Sequence, residues 1–481
     1  MSLSPDSERL IKQWLSNLRS LASSSLLDDP RYYLYRPQSL IASSKPQELL
    51  LGTGEQVLSN IFDAFHAVRH EILFVTCFWA HSASQIAFAS ALKALSTRAE
   101  ASGRRIRVRI GFSSSSLWQK LTQTSSLSGK NYPPSTWPGT LGLPAPTELQ
   151  GLDLSVCSIF VWPLSVMHSK FVICDRERLF LPSCNVSWED WFEGCIELRG
   201  DVVAQGVLFW ENFWGRDETL PQLESNTRPE VENGASSQSA FLELAAPEKL
   251  FQTSLSRLGM IPTILLPSPH HRNPCFRPFP FFKNAPPPPP TPLNTFLLTI
   301  FSHAKQSIYI QSPNITSQPV LDAILSAIER GVNIQIVSNR RMQVIEQLLT
   351  AGRLTEWALR DLHLKYTDSL NRFLDDSSGG RDLEAGHPRE HGSLRISYYQ
   401  PPASGSGTGS SVLVPAVKSH LKLTIVDKEI VVLGSGNMDR ASWYTSQELG
   451  LAFFSRDLAA EVMRGVKEGL EGCLESGLVP H

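Results

Sequence analysis

Two stretches of the chain carry the same reactive side chains at the same spacing. Residues 167–185 read MHSKFVICDRERLFLPSCN and hold His168, Lys170, Asp175, Ser183 and Asn185; residues 419–437 read SHLKLTIVDKEIVVLGSGN and hold His420, Lys422, Asp427, Ser435 and Asn437. An acid follows each, Glu197 twelve residues beyond Asn185 and Glu448 eleven beyond Asn437. A lone histidine in an apolar strand is ordinarily a satisfied core residue, and a lone lysine a snorkelling surface one. A His-x-Lys…Asp pattern that occurs twice, each time with Ser-x-Asn and a glutamate behind it, is not a product of composition.

Each stretch has the pattern of strand, turn and strand. Val, Ile and Leu fill 421–426 and 430–433, and Asp427-Lys428-Glu429 is a polar break of hairpin length. Side chains alternate faces along a strand, so His420 and Lys422 project together, and so do Ser435 and Asn437. One hairpin face thus gathers an imidazole, an ammonium, a hydroxyl and a carboxamide, which can hold an anion and attack it. Two such faces brought together let one imidazole attack phosphorus while the other, on the opposite side, protonates the leaving oxygen. The lysines and asparagines would hold the non-bridging oxygens and stabilise the charge of the transition state. Water or an alcohol then releases a covalent phosphohistidine, and the scheme calls for no metal and no cofactor.

The elements that must position these groups alternate. Helical periodicity over 55–68, a strand over 71–78, a helix over 85–100 and a strand over 105–112 are matched later by a helix over 293–304, a strand over 307–311, a helix over 318–330 and a strand over 332–338. That order predicts parallel strands with crossover helices, and its recurrence predicts an internal duplication. The expected fold is α/β: two similar domains in one chain, related by a pseudo-two-fold axis, with long loops. The expected divisions are an amphipathic helical segment at 1–30, a first domain at 31–240 and a second at 241–481. A polar tract at 218–246 separates the domains, and loops lie near 283–292 and 375–411.

With 481 residues, 42% of them hydrophobic, the chain can bury a real core, and a formal net charge of −2 gives no support to long-range attraction for nucleic acid. The seven cysteines, an odd number, mostly sit in apolar runs (Cys77, Cys157, Cys174, Cys195), as reduced thiols of an intracellular protein do. No signal-peptide pattern opens the chain, and no apolar run approaches the ~20 residues of a membrane span. The expectation is a cytoplasmic or peripheral membrane protein. Leu10, Ile11, Trp14, Leu15, Leu18 and Leu21 fall at helical spacing; a helix packed on the core is favoured over one lying on a membrane, because Asp6 and Glu8 dilute its positive face. Arg105, Arg107 and Arg109 share one strand face, which reads equally as a solvated edge or as an attractor of anions.

The paired HSKFVICD…PSCN and HLKLTIVD…GSGN resemble the HxKxxxxD…GSxN signature of the phospholipase D superfamily, and GSGNMDRASWYTSQEL is similar to the version found in cardiolipin synthases. The resemblance runs from about residue 50 to the end of the chain. It implies two α/β domains around a shared site and a phosphohistidine mechanism. Carried over, His168 is the nucleophile and His420 the general acid, then base. Lys170, Lys422, Asn185 and Asn437 become phosphate ligands, with Ser183 and Ser435 beside them. Glu197 and Glu448 would orient the imidazoles through their second nitrogens. Asp175 and Asp427 are expected to be structural.

The chain departs from the signature at Pro182, in place of the first glycine, and at Cys184; a proline there predicts a bent strand and a displaced Ser183. The segment VSWEDWFEG after Asn185 also lacks the Asp-x-Arg of the second copy. The resemblance implies a phospholipid substrate with water or a lipid alcohol as acceptor. It also implies peripheral membrane contact, through the 10–21 helix and aromatics such as Trp188 and Trp191. Both half-sites lie in one chain, which allows a monomer. Two other readings use the same residues: a nuclease, against which the near-neutral charge stands, and a lipid-binding scaffold without turnover, for which Pro182 and Cys184 are the motive.

Overall fold

The computed structural model describes residues 3–21, 28–116, 119, 127–161, 165–216, 218, 251–271, 287–378, 390–401 and 416–477. Apart from Glu218, the expected linker over 218–246 lies outside them, as do residues 283–286 of the expected loop near 283–292 and residues 379–389 and 402–411 of that near 375–411.

In chain order, the first half contains α1 (Pro5–Ser20), β1 (Ile41–Thr53), α2 (Gly54–Asp63), β2 (Glu71–Phe78), α3 (Ala83–Ala101), β3 (Ile106–Ser114), β4 (Leu152–Ser158), β5 (Phe171–Cys174), β6 (Arg178–Pro182), β7 (Trp191–Arg199) and α4 (Asp201–Phe213). The second half contains β8 (Ile261–Ser268), α5 (Pro292–His303), β9 (Ser307–Gln311), α6 (Gln318–Glu329), β10 (Asn333–Asn339), α7 (Val344–Ala351), α8 (Thr355–Ser378), β11 (Leu394–Tyr399), β12 (Leu423–Val426), β13 (Ile430–Gly434), α9 (Arg440–Tyr444), β14 (Glu448–Phe454) and α10 (Arg456–Gly469).

Local sequence explains where the helices start. Thr53 and Gln56 form a capping box at α2, each side chain accepting from the other's backbone N–H. At α5 the Thr291 hydroxyl accepts from Asn294 N–H, and Pro292 takes the first helical position. The strands β2, β5, β12 and β14 are buried along almost their whole length, as their unbroken apolar runs require of central strands covered on both faces.

Each half builds one sheet, and the strand order is the same in both: β4-β3-β2-β5-β6-β7-β1 in the first and β11-β10-β9-β12-β13-β14-β8 in the second. Three parallel strands lead each order and four antiparallel ones follow. The sheets meet where β1 pairs antiparallel with β8, Ser44 opposite Ile261. This is an α/β architecture, as the periodicity predicts, and its two halves repeat one strand order.

One expectation needs correction, and one choice between two readings falls on the favoured side. Arg105, Arg107 and Arg109 lie on or beside β3, which is flanked by β2 and β4 and is no edge; Arg107 Nη1 bonds Glu71 at 2.8 Å, Arg109 bonds Asp153 at 3.0 Å and Glu218 at 2.6 Å, and Arg105 Nε donates to the Leu152 carbonyl at 3.2 Å. Arg107 and Arg109 are thus committed to neighbouring acids, and Arg105 to a backbone carbonyl. The apolar stripe of α1 is likewise committed: Leu10, Ile11, Trp14, Leu15 and Leu18 are buried, and Trp14 Nε1 donates to the Pro292 carbonyl at 3.1 Å with its ring edge-on to Phe296. A face that packs on α5 is not available to a membrane. Among the described residues, no helix is long and apolar enough to cross one.

Candidate active site

Two hairpins of one construction frame the site. At the turn between β5 and β6, Asp175 and Arg176 take φ of 52° and 55°, and Glu177 N–H closes onto the Cys174 carbonyl at 3.0 Å; Asp427 and Lys428 repeat both angles between β12 and β13, and Glu429 N–H repeats the closure onto Val426. Two successive residues of positive φ make the hairpin turn whose twist matches its strands, and Asp accepts that conformation better than most residues. The Asp175 carboxylate then accepts from the N–H groups of Arg69, His70 and Glu71 at 2.7–2.8 Å, and Asp427 from those of Lys305, Gln306 and Ser307 at 2.7–2.9 Å. Each aspartate ties its hairpin to the start of the central parallel strand, far from the reacting end.

At the other end of β5 and β12 lie the histidines and lysines. Lys170 Nζ donates to the carbonyl of His168 at 2.9 Å and Lys422 Nζ to that of His420 at 2.7 Å; both lysines are buried. The histidines are docked by the opposite half. His168 N–H donates to the Gln447 carbonyl and His420 N–H to the Phe192 carbonyl, each at 2.8 Å. The next residue in each case is a glutamate. His168 Nδ1 lies 2.9 and 3.0 Å from the Glu448 oxygens, and His420 Nδ1 lies 2.7 Å from Glu193. A histidine of each half is therefore oriented by a carboxylate of the other, the reciprocity that a two-fold relation requires.

Glu193, not Glu197, partners His420. In the second half α9 lengthens the path from Asn437 to Glu448, whereas the first half turns into β7 directly, so its acid arrives earlier in sequence. Glu197 lies on the same face of β7 four residues further on, roughly 13 Å along the strand, where it pairs with Arg178 at 2.7 Å. The sign of this was present in the chain: Glu193 opens the apolar run of β7 as Glu448 opens that of β14.

Ser183 and Ser435 also differ from their expected place among the phosphate ligands. Ser435 Oγ donates to Glu448 at 2.5 Å and accepts from Leu449 N–H at 3.0 Å; Ser183 Oγ donates to Glu193 and accepts from Gly194 N–H at 2.9 Å. Both hydroxyls are occupied in fixing carboxylates. Asn185 accepts from Phe78 N–H at 3.3 Å, and Asn437 Nδ2 donates to Asp439 at 3.2 Å, so each is held by a neighbour at the end of its hairpin.

Pro182 does not displace Ser183. It completes β6 opposite Cys195, and Ser183 N–H reaches the Gly194 carbonyl at 2.8 Å, as Ser435 N–H reaches Leu449 at 3.0 Å. N–H groups alternate sides along a strand, so position 182 points toward β5, whose pairing has already ended at Phe180 and Val172. The missing donor has no bond to lose.

Burial sets the proton states. It drives His168 down to about 4, helped by the charge on Lys170 and opposed by Glu448. Burial pulls on Glu448 in the upward direction, but His168, Lys170 and the Ser435 hydroxyl outweigh it and hold the carboxyl below its usual range. The result is a neutral imidazole whose Nδ1–H faces a carboxylate and whose Nε2 lone pair is free to attack. In the other pair, burial pushes Glu193 up to about 7, against the pull of Lys422 and the Ser183 bond, and burial with the charges of Lys422 and Lys170 holds His420 well below its normal value. Lys422 itself falls to about 7 through burial and the charge of Lys170. The His168 side chain is 13% exposed and that of His420 only 2%, because the Trp191 ring lies over His420 with centroids 4.7 Å apart. No cluster of three or more His, Cys, Asp or Glu suited to a metal ion occurs among the described residues.

The second hairpin lies within a match to the family model described as cardiolipin synthase, PLD-like domain, over residues 297–468. Residues 297–468 thus carry a phospholipase D-like domain. The first hairpin, outside that match, repeats the second's turn closure, its aspartate ties and its lysine contact. The overall fold is similar to that of phosphatidylserine synthase from Haemophilus influenzae Rd KW20, with a TM-score of 0.51 and 13% identity over 92% of this chain and 90% of that one. The phospholipase D family member Nuc from Salmonella typhimurium aligns with 38% of this chain and 90% of its own, at 18% identity and a TM-score of 0.24. Polyphosphate kinase from Porphyromonas gingivalis aligns at 11% identity over 88% of this chain and 50% of that one, with a TM-score of 0.43. None of the curated proteins compared matches this chain.

Proposed function

We propose that the chain is a phosphodiesterase of the phospholipase D type that hydrolyses or transfers the phosphatidyl group of phospholipids. The observation that carries this is the pair of interlocked His–Glu contacts, each crossing from one half to the other, with a buried lysine beside each histidine. Such a site takes one phosphodiester between two imidazoles. His168 Nε2 attacks phosphorus; the P–N bond forms as the P–O bond to the leaving alcohol breaks, and that oxygen takes the proton from His420. Water or a lipid alcohol then gives its proton to His420 and attacks the phosphohistidine, and the P–N bond breaks to restore His168. Lys170, Lys422, Asn185 and Asn437 hold the non-bridging oxygens while negative charge builds. Two contrasts support these roles. His168 is the more exposed imidazole and faces the ionised acid, which favours attack; His420 is covered and shares its environment with a carboxyl that retains a proton into the neutral range, which favours acid catalysis.

The test is turnover of a panel of phospholipids and of single-stranded DNA by the wild type and His168→Ala. Release of head group or exchange of the alcohol by the wild type alone is the expected result. Cleavage of DNA with no lipid turnover would replace the substrate and keep the site, and turnover unchanged in His168→Ala would remove both.

A further inference from the structure

Helix α7 is built inside out. Its apolar residues Ile345, Leu348 and Leu349 fall on one stripe and are 76%, 40% and 54% exposed, whereas its polar residues Gln347 and Thr350 are buried. The burial of Gln347 is deliberate in chemical terms: its Nε2 donates to Asn314 Oδ1 at 3.0 Å, and its Oε1 accepts from the N–H and hydroxyl of Thr355 at 2.7 and 2.8 Å. A satisfied buried amide holds the helix in this orientation and keeps the leucines outside. Three residues beyond Leu354, the first turn of α8 adds Trp357, 57% exposed. An apolar stripe next to an exposed tryptophan is a surface that something covers.

The position of this surface identifies what. It follows the reacting end of β10, where Asn339 clamps Ser419, the residue before His420, with Nδ2 to the Ser419 carbonyl at 2.7 Å and Ser419 N–H to Oδ1 at 2.9 Å. Asn314, which α7 grips through Gln343 and Gln347, precedes Ile315, and Ile315 bridges to Met438 beside Asn437. The stripe therefore belongs to the rim of the site. On the first half, Trp188 is 63% exposed against Phe78, three residues past Asn185. Arg340, Arg341 and Arg360 are exposed on the segments that flank α7; the acids among them are Glu346 on the helix, Glu356 and Asp361 on α8, and Glu475, which pairs with Arg340 at 3.7 Å. Apolar residues bordered by exposed arginines suit the headgroup boundary of an anionic bilayer. A protein seated there would obstruct the mouth of the site, whereas a bilayer would supply substrate through it.

We propose that α7 and Trp357 form the surface by which this protein docks on a phospholipid bilayer, with α1, whose apolar face is buried, playing no part. The choice of a bilayer as occupant rests on the phospholipid reading of the site. The test is co-sedimentation with vesicles of phosphatidylcholine, with and without phosphatidylglycerol, alongside turnover of a short-chain phospholipid held below its micelle-forming concentration. The triple variant Ile345→Ser, Leu348→Ser, Leu349→Ser should bind the mixed vesicles about 100-fold more weakly and turn over the dissolved lipid at the wild-type rate. Ile86→Ser, at an apolar position of α3 that is also exposed, should bind as the wild type does. Arg341→Gln with Arg360→Gln should lose the preference for phosphatidylglycerol.

Wild-type protein that ignores vesicles, or a triple variant that binds them fully, would overturn the proposal. So would a wild-type dimer that the triple variant turns into a monomer on gel filtration, which would make the face a contact between copies. Vesicle binding that depends on α7 in a protein that turns over no phospholipid would uphold the docking surface and reject the substrate.

Discussion

The two half-sites share one plan and differ in what surrounds their carboxylates. Glu448 accepts from the hydroxyls of Ser435 and Ser442, at 2.5 and 2.6 Å, in addition to facing His168. Glu193 has Ser183 and His420 and no counterpart of Ser442, because α9, which supplies that serine, exists only in the second half. At the position two residues before the glutamate, the first half has Trp191, which covers His420, and the second has Ser446. More donors stabilise a charged carboxylate, and fewer donors with an aromatic cover favour the protonated one. A symmetric scaffold thus yields an acid–base difference from a five-residue helix and one aromatic ring.

That comparison can be broken most decisively at the histidines. His168→Ala should lower kcat about 10⁴-fold or more, as loss of a nucleophile does, and acid- or base-quenched protein should carry no phosphohistidine. His420→Ala should lower it roughly 10²–10⁴-fold yet still trap label on His168 from a substrate whose leaving alcohol is already acidic. Label on His420 in the His168→Ala protein would reverse the assignment.

A smaller effect separates the acids. Glu448→Gln and Glu193→Gln should each cost about 10²–10³-fold in kcat, because the imidazole loses its fixed orientation and tautomer, while Glu197→Gln should stay within about threefold. Comparable losses at Glu197 and Glu193 would restore the spacing argument that the structure overturns.

The pH profile sharpens the comparison next. His168 is lowered to about 4, so it is neutral and able to attack above that value, and kcat/KM should fall as the pH drops through it. Glu193 is raised to about 7 and Lys422 lowered to about 7, so the shared proton and the lysine charge are present below that pH and are lost above it. The expected profile is a plateau bounded by about 4 and about 7, and Glu193→Gln should move the alkaline limb alone.

The least effect on chemistry is expected at the turns. Asp175→Ala and Asp427→Ala each remove three backbone hydrogen bonds from a partly exposed carboxylate, and each should cost about 2 kcal/mol in urea unfolding. Equal losses would fit two hairpins of one construction, and a large inequality would break it.

Much of this was legible beforehand. The strand β2, the helices α3, α5 and α6, and the hairpin at Asp427 follow from periodicity and turn chemistry, which are local and survive without tertiary context. His168 with Lys170 and His420 with Lys422 hold matching places at the ends of β5 and β12, at the positions that spacing marks. Spacing failed at Glu197, since a count of residues does not see the extra turn of α9. It failed at Ser183 and Ser435, since a hydroxyl aimed at a carboxylate looks in sequence like one aimed at a phosphate. It overrated Pro182, since only the ladder shows that the proline's missing donor had no acceptor.

The chain by itself determined the two hairpins, their aspartate-tied turns and the kinds of side chain each presents, because those depend on neighbours within a few residues. Only the tertiary structure decided that each histidine answers to a glutamate of the other half, that the stripe of α7 is outside and that of α1 inside, and that one imidazole is covered and its twin is not. Those depend on which strands meet across the junction of β1 and β8, and on whether a side chain finds a partner there or leaves it to solvent.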